Sequence, residues 1–351
     1  MSNILTNYQW IDEPEQAANL ASVCDNGMFY AIDTEFERSR TYYMNPALLQ
    51  VCVNGRAYLV DLLDQQVAPM MFRAIKKVIL HSGSEDLYLW HQLTGSLPDA
   101  LFDTQVAAAA SGFGLHYSYQ NLVKDLLGIE LSKAESRSDW LKRPLTDAQI
   151  DYAIEDIAYL PELKGLLEAK MESKSTRPLF DELMSQQLAN VTVDLHAEKV
   201  FQKMVKSQRL PIAAQKKLWA LLGWREQQAV DRNKPRNWIL NPQQLSDMAV
   251  KVKSKQDMFQ LGLHPNMLRI HADHLLKLLK GAQDIEEAAL PVMVKLKSQQ
   301  GEALTQMKNT LNQHCESLGI EPALVVNVAG LKRLAFENKT LNDLATWRAI
   351  Q

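Results

Sequence analysis

The apolar pattern of this 351-residue chain changes period once, near residues 190–205, and one layered fold cannot serve both halves. Before that point, short apolar runs of strand length alternate with helical patterns. Phe29-Tyr30-Ala31-Ile32 is such a run, ending at Asp33. Leu48 to Val53 and Ala57 to Val60 flank Asn54-Gly55, a strong hairpin signal. Lys77 to Leu80 reads as another strand, followed by the turn His81-Ser82-Gly83-Ser84, with Ser84 placed to cap the next helix. Phe102-Asp103-Thr104 opens an alanine-rich helix, and Thr146 with Gln149 forms a capping box at the start of a later one. Beyond residue 196 the strand signals vanish. Amphipathic helices remain, separated by breakers at Pro211, Pro235, Pro242, Pro265 and Pro291. The expectation is an α/β domain over 1–195, then all-α bundles over 205–288 and 291–351.

Charge divides at the same place. Residues 1–198 carry 15 Lys and Arg against 28 Asp and Glu, a net of −13; residues 199–351 carry 23 against 13, a net of +10. The overall net of −3 therefore misleads. An acidic half concentrates carboxylates while a basic half suits polyanions, although two solvated surfaces of opposite sign would show the same numbers. No stretch approaches the roughly 18–20 apolar residues of a spanning helix, and Met1 to Asn7 lacks the features of a secretory signal. Cys24, Cys52 and Cys315 are odd in number and scattered, as free thiols of a reducing, cytoplasmic compartment would be.

Five residues carry most of the chemistry. Asp33 and Glu35 alternate on a strand, so both point to one face, just where the strand is expected to end. Carboxylates this close repel unless a cation lies between them. Asp86, with Glu85 as its competitor, falls in the first turn of a helix, where an acid also complements the helix dipole. Tyr152 and Asp156, spaced i, i+4, share one helix face. A phenol beside a metal-bound carboxylate can orient water or a phosphate. Asp151 and Glu155 are expected to face solvent. Brought together, the four acids form an oxygen-ligand pocket of the kind that holds a pair of Mg²⁺ or Mn²⁺ ions in nucleases and polymerases. Taken singly, each has an ordinary structural reading.

In the basic half, Lys216, Lys217, Arg225, Arg232, Lys234 and Arg236 interleave with Trp219, Trp224 and Trp238, a mixture suited to backbone tracking and base stacking. Trp219 and Trp224 lie among Leu218, Leu221 and Leu222 and read as core; Trp238 follows a loop and is more open. Arg137 suits either a phosphate contact or an ion pair with Glu135 or Asp139.

In combination these segments resemble a known family. Ile32-Asp33-Thr34-Glu35-Phe36, His81 to Leu87, Phe102-Asp103-Thr104-Gln105 and Tyr152 to Asp156 look like the motifs of DEDD-superfamily 3′–5′ exonucleases of the tyrosine subtype. Lys133 to Leu141 is similar to the linking stretch of bacterial ribonuclease D. Leu222 to Glu226, Asn233-Lys234-Pro235 and Asn237 to Leu240 look like an HRDC domain, and Leu341 to Arg348 is similar to the family's terminal helix. The resemblance implies a ribonuclease H-like (DnaQ-like) exonuclease fold, a mixed sheet flanked by helices, followed by HRDC-like helical bundles. It implies Asp33, Glu35, Asp86 and Asp156 as ligands of two divalent ions (Mg²⁺ or Mn²⁺) and Tyr152 as the residue that positions water. It further implies a 3′–5′ exoribonuclease releasing nucleoside 5′-monophosphates, acting on RNA with a free 3′ end such as tRNA precursors. No membrane partner is expected, and a monomer is expected independently of the resemblance. Nothing in the residues reads the 2′-hydroxyl, so a DNA 3′–5′ exonuclease is the near alternative. A non-catalytic RNA-binding protein is the farther one, against which the five intact positions argue.

Overall fold

The hairpin expected at Asn54-Gly55 forms with both residues at positive φ, 51° and 76°, the backbone of a two-residue turn whose twist matches that of paired strands. It belongs to a six-stranded mixed sheet made of β1 (Tyr8–Ile11), β2 (Phe29–Glu37), β3 (Asn45–Val53), β4 (Arg56–Asp61), β5 (Lys77–Leu80) and β6 (Ala100–Asp103). The spatial order is β1-β4-β3-β2-β5-β6. β3 and β4 are antiparallel, with Val53 opposite Arg56; β1 runs parallel to β4, and β5 parallel to both β2 and β6. The computed structural model describes residues 8–24, 26–64, 66–131, 138–191, 196–291 and 296–351. The chain forms two units: residues 1–37, 46–192 and 294–351 in the first, and 38–45 with 193–293 in the second.

In the first unit the sheet is flanked by α1 (Pro14–Cys24), α2 (Val67–Ala74), α3 (Ser84–Thr94), α4 (Thr104–Ala110), α5 (Tyr119–Leu127), α6 (Asp147–Ala158), α7 (Leu160–Lys174) and α8 (Arg177–Asn190). Ile32, Leu48, Leu49, Leu59, Val78 and Leu80 pack with Phe72, Trp90 and Phe102 in one buried cluster. Each such side chain stabilises the fold by about 1.5–3 kcal/mol. β1 and β6, four residues each, are not among the strands expected from the sequence, although β5, equally short, is. Ser84 does not cap α3 as expected. It is the first helical residue, the N-cap position falls one residue earlier on Gly83 with no side-chain cap, and Ser82 before it turns the chain at φ 60°. Thr146 does cap α6, with the reciprocal Gln149 bond present.

The second unit contains α9 (His196–Gln208), α10 (Ile212–Asp231), α11 (Arg236–Ile239), α12 (Pro242–Lys251), α13 (Lys255–Phe259) and α14 (Pro265–Gly281) around Phe201, Leu218, Leu222, Met248 and Leu275. Trp224 is buried there, and Trp219 meets Phe201 edge to face with ring centroids 5.6 Å apart; both are core, as expected. Trp238 is 61% exposed. Residues 38–45 join this unit through Tyr42, whose hydroxyl donates to Glu226 Oε1 at 2.6 Å, and through Asn233 Oδ1, which accepts the Tyr42 and Tyr43 N–H groups at 3.0 Å each. The remaining helices, α15 (Ser298–Leu318), α16 (Pro322–Val325), α17 (Val328–Phe336) and α18 (Ala345–Arg348), pack in the first unit, where Leu311, Cys315 and Trp347 share a core with Leu179 of α8. All three cysteines are free and buried, and no described helix is long and apolar enough to cross a membrane.

Arg143 ties the chain entering α6 to the sheet. Its Nε and Nη2 donate to the two Asp61 oxygens at 2.6 and 2.8 Å, and Nη2 also donates to Ala47 O at 2.7 Å. The pair is largely shielded, with side-chain exposures of 21% and 12%. Arg143→Leu is therefore expected to lower stability by about 2–3 kcal/mol, between a surface pair and a buried one, when unfolded in urea. A change below about 0.5 kcal/mol would show that Asp61 does not depend on this partner.

Candidate active site

The ladder between β2 and β5 pairs Phe29, Tyr30 and Ala31 with Lys77, Val78 and Ile79 and then stops. β2 itself runs on to Glu37. Asp33 and Glu35 thus lie not at a strand end, as the sequence suggested, but on a strand that outruns its parallel neighbour. Beyond the carboxyl end of β5 the sheet leaves a cleft, the usual place for a ligand in such sheets. Asp33, Thr34, Glu35, Phe36, Ser82, Glu85, Asp86 and Tyr152 line it, around a volume of ≈ 360 Å³, within the range of about 300–1,000 Å³ for small-ligand sites.

Asp33, Glu35 and Asp156 each offer one carboxylate oxygen within 4.8 Å of the others. Three hard, anionic oxygens this close suit a divalent cation such as Mg²⁺ or Mn²⁺ rather than a soft metal. Asp86 lies beside this trio rather than within it. It is buried, at 8% exposure, and accepts a hydrogen bond from the Thr34 hydroxyl, whereas Glu85 is exposed. Burial thus separates the two candidates that the sequence could not. Tyr152 and Asp156 share a face of α6 as their spacing implies, and the phenol hydrogen-bonds the carboxylate. Glu155, expected in solvent, is half-buried, because α6 packs with both of its flanks partly covered. Thr34, between the two β2 acids, is the site residue that sequence reasoning passed over; only its place inside the Asp-x-Glu motif could have signalled it.

Burial is the first cause of every carboxyl shift in the cleft, and neighbouring acids add to it. Asp33 is held well above the usual carboxylate range by burial and then by Asp86, Asp156 and Glu35. Glu35 is pushed up to about 9 by burial, then by Asp156 and Asp86. Asp156 rises to about 7, burial outweighing the Tyr152 hydrogen bond, and Asp86 to about 6, burial outweighing the bond from Thr34. Burial, followed by the charges of Asp156, Glu35 and Asp33, keeps the Tyr152 phenol protonated.

The first unit matches the family profile of 3′–5′ exonuclease domains over residues 8–172, and the second matches the HRDC domain over residues 215–279. The chain is 32% identical to ribonuclease D of Pseudomonas paraeruginosa over 93% of its own length and 89% of that protein. The chain belongs to the ribonuclease D family. Ribonuclease D of Escherichia coli is 30% identical over 97% of this chain and 90% of its own. The crystal structure of Escherichia coli RNase D, described as an exoribonuclease involved in structured RNA processing, has a TM-score of 0.80 at 29% identity, covering 94% of this chain and 90% of that one. The ribonuclease D architecture expected from the motifs, a mixed sheet with flanking helices followed by helical domains, is the one found.

The basic residues singled out in the sequence have different fates. Arg225 is 1% exposed, with Nη1 aimed at Leu240 O at 3.4 Å, and is part of the core rather than of an RNA face. Arg236 is held bidentately by Glu226 at 2.6 and 2.7 Å, Arg232 meets His271, and Lys234 lies 5.7 Å from the Trp238 ring centroid. Lys216 and Lys217 line a groove of ≈ 420 Å³ with Lys253 and Lys280. Arg137 and Glu135 lie outside the described residues.

A carboxyl raised in the folded state binds protons that the unfolded chain has already released. The metal-free protein should therefore lose stability as pH rises from about 4.5, the ordinary value of Glu35, toward its shifted value of about 9. A divalent cation bound by these carboxylates would replace those protons. The Tm increment produced by Mn²⁺ is expected to grow between about pH 5.5 and pH 8.5, with proton release on binding. Equal increments at both pH values would contradict the raised carboxyls.

Proposed function

We propose that this ribonuclease D-family enzyme shortens RNA from its 3′ end by hydrolysis, releasing nucleoside 5′-monophosphates, with Asp33, Glu35, Asp86 and Asp156 as the ligands of two divalent ions, Mg²⁺ or Mn²⁺. The observation that carries this reading is the convergence of Asp33, Glu35 and Asp156 within 4.8 Å, beside Asp86 and Tyr152, in one cleft of a 3′–5′ exonuclease domain. When bound, the ions supply Lewis-acid chemistry, lowering the pKa of water and neutralising charge on the phosphate.

The protein's own residues bind and orient. Asp33 and Glu35 present their carboxylates from a central strand, Asp86 from α3 and Asp156 from α6, three elements packed in one core. Thr34 holds the Asp86 carboxylate by a hydrogen bond and so limits its rotation. Tyr152 keeps its proton. Its single O–H can therefore be donated either to Asp156 or to a phosphate oxygen or water in the cleft. No protein group forms a covalent intermediate; water is the nucleophile.

The sequence division into 1–195, 205–288 and 291–351 is proposed as a functional one. Catalysis belongs to the first, while the second holds the RNA body through Lys216, Lys217 and Lys234 and through exposed Trp238, where a base can stack. Precursor tRNAs and other small structured RNAs are the proposed substrates, in line with the structured-RNA processing ascribed to the Escherichia coli relative. The enzyme is proposed to act as a cytoplasmic monomer.

Asp33→Asn is expected to leave the fold intact by circular dichroism and to lower turnover at least about 10³-fold, on the order of 4 kcal/mol. Tyr152→Phe should cost about 10²-fold, mainly in kcat. Asp33→Asn with near wild-type turnover on a 3′-extended RNA would remove the ligand assignment.

A further inference from the structure

Asp103 closes β6, is 1% exposed, and makes no ion pair among the described residues. A buried carboxyl group is tolerated only when its oxygens are well supplied with hydrogen-bond partners. Here they accept four N–H groups. Oδ1 accepts from the backbone of Gln105 at 2.9 Å and of Ser82 at 3.0 Å; Oδ2 accepts from the backbone of Gly83 at 3.0 Å and from Gln187 Nε2 of α8 at 3.3 Å.

The Gln105 bond is the ordinary N-cap of α4, which a serine, threonine or asparagine could provide equally well. The other three bonds are not explained by capping. Two of them grip consecutive residues of the turn between β5 and α3, where Ser82 sits at φ 60°, a conformation that a non-glycine residue adopts at some cost. The next residue, Thr104, clasps the same turn from its other side. Its hydroxyl donates to Leu80 O at 3.0 Å and lies 2.9 Å from His81 Nδ1. Space at the turn is also limited, since a Cβ on Gly83 would fall 2.6 Å from Leu80 Cδ1 and 2.8 Å from its Cβ. Asp86 stands three residues beyond Gly83, in the first turn of α3.

We propose that Asp103 is a positioning residue of the active site: its carboxylate fixes the β5–α3 turn so that Asp86 is delivered into the cleft beside Asp33, Glu35 and Asp156. The inference rests on the metal-binding reading of that cleft. It assigns a role to the Phe102-Asp103-Thr104-Gln105 motif, which supplies none of the proposed ligands. Asparagine keeps the shape and the α4 cap but turns one oxygen into a donor facing the Gly83 and Gln187 N–H groups, so the turn loses its second anchor.

The test is titration of Mn²⁺ alone into the full-length, metal-free protein, without RNA, by calorimetry and by thermal shift. Asp103→Asn is expected to weaken the Mn²⁺ Kd about 10- to 100-fold, the usual effect of removing a partner behind a metal ligand, and to shrink the Mn²⁺-induced rise in Tm. Gly83→Ala, which displaces the same turn and leaves the α4 cap alone, should weaken Mn²⁺ in the same direction. A wild-type Kd in Asp103→Asn, with only the metal-free Tm lowered, would reduce Asp103 to a structural cap and overturn the proposal. If Asp103→Asn does not fold, Gly83→Ala decides alone, and a wild-type Kd there overturns it. An unsubstituted chain that takes up no Mn²⁺ removes the metal reading and this inference together.

Discussion

The mutual repulsion of carboxylates held in a partly dry cleft is the constraint to which the rest of the first unit answers. Burial raises the cost of ionising Asp33, Glu35, Asp86 and Asp156, and the charges of Asp86, Asp156 and Glu35 raise it further at Asp33. A flexible chain would relieve this by moving the side chains apart or turning them into water. Here they are carried by a strand and two helices whose apolar faces belong to one continuous core, so relief comes only through protons or a cation. The strain of the metal-free site and its appetite for a divalent ion are two descriptions of the same free energy.

That arrangement depends on where pairing stops. β2 is central in the sheet and therefore rigid, yet its partner β5 ends early enough to expose the next few residues. α6 brings Asp156 and Tyr152 to that gap from the far end of a connection that Arg143 anchors to β3 and β4. The helical second unit contributes cationic and aromatic side chains in place of carboxylates, which fits the charge reversal between the halves of the chain.

Much of this was legible in the sequence wherever a local rule had no competitor. The Asn54-Gly55 turn, the Thr146 capping box and the i, i+4 relation of Tyr152 and Asp156 follow from backbone geometry over a few residues, and all three are found. Family motifs supplied what local rules could not, above all the convergence of segments 120 residues apart. Features set by packing at a distance stayed hidden. Both Glu85 and Asp86 line the cleft, but only Asp86 is buried there, on the face that α3 turns to the core. Arg225 is sequestered because Leu240 closes over it. Ser84 loses its expected capping role because the turn before it is gripped elsewhere. The attachment of residues 38–45 to the helical unit depends on Tyr42 meeting Glu226, 184 positions away, and no window of sequence contains both.

The most direct measurement is a gel time course on a 3′-extended, tRNA-like RNA labelled at its 5′ end, beside a single-stranded DNA of the same sequence, in Mg²⁺ and in EDTA. The expected result is a ladder that shortens one nucleotide at a time from the RNA 3′ end, with 5′-monophosphates as the product, slower loss of DNA, and no ladder in EDTA. Undiminished shortening in EDTA, or intact RNA in Mg²⁺, would contradict it.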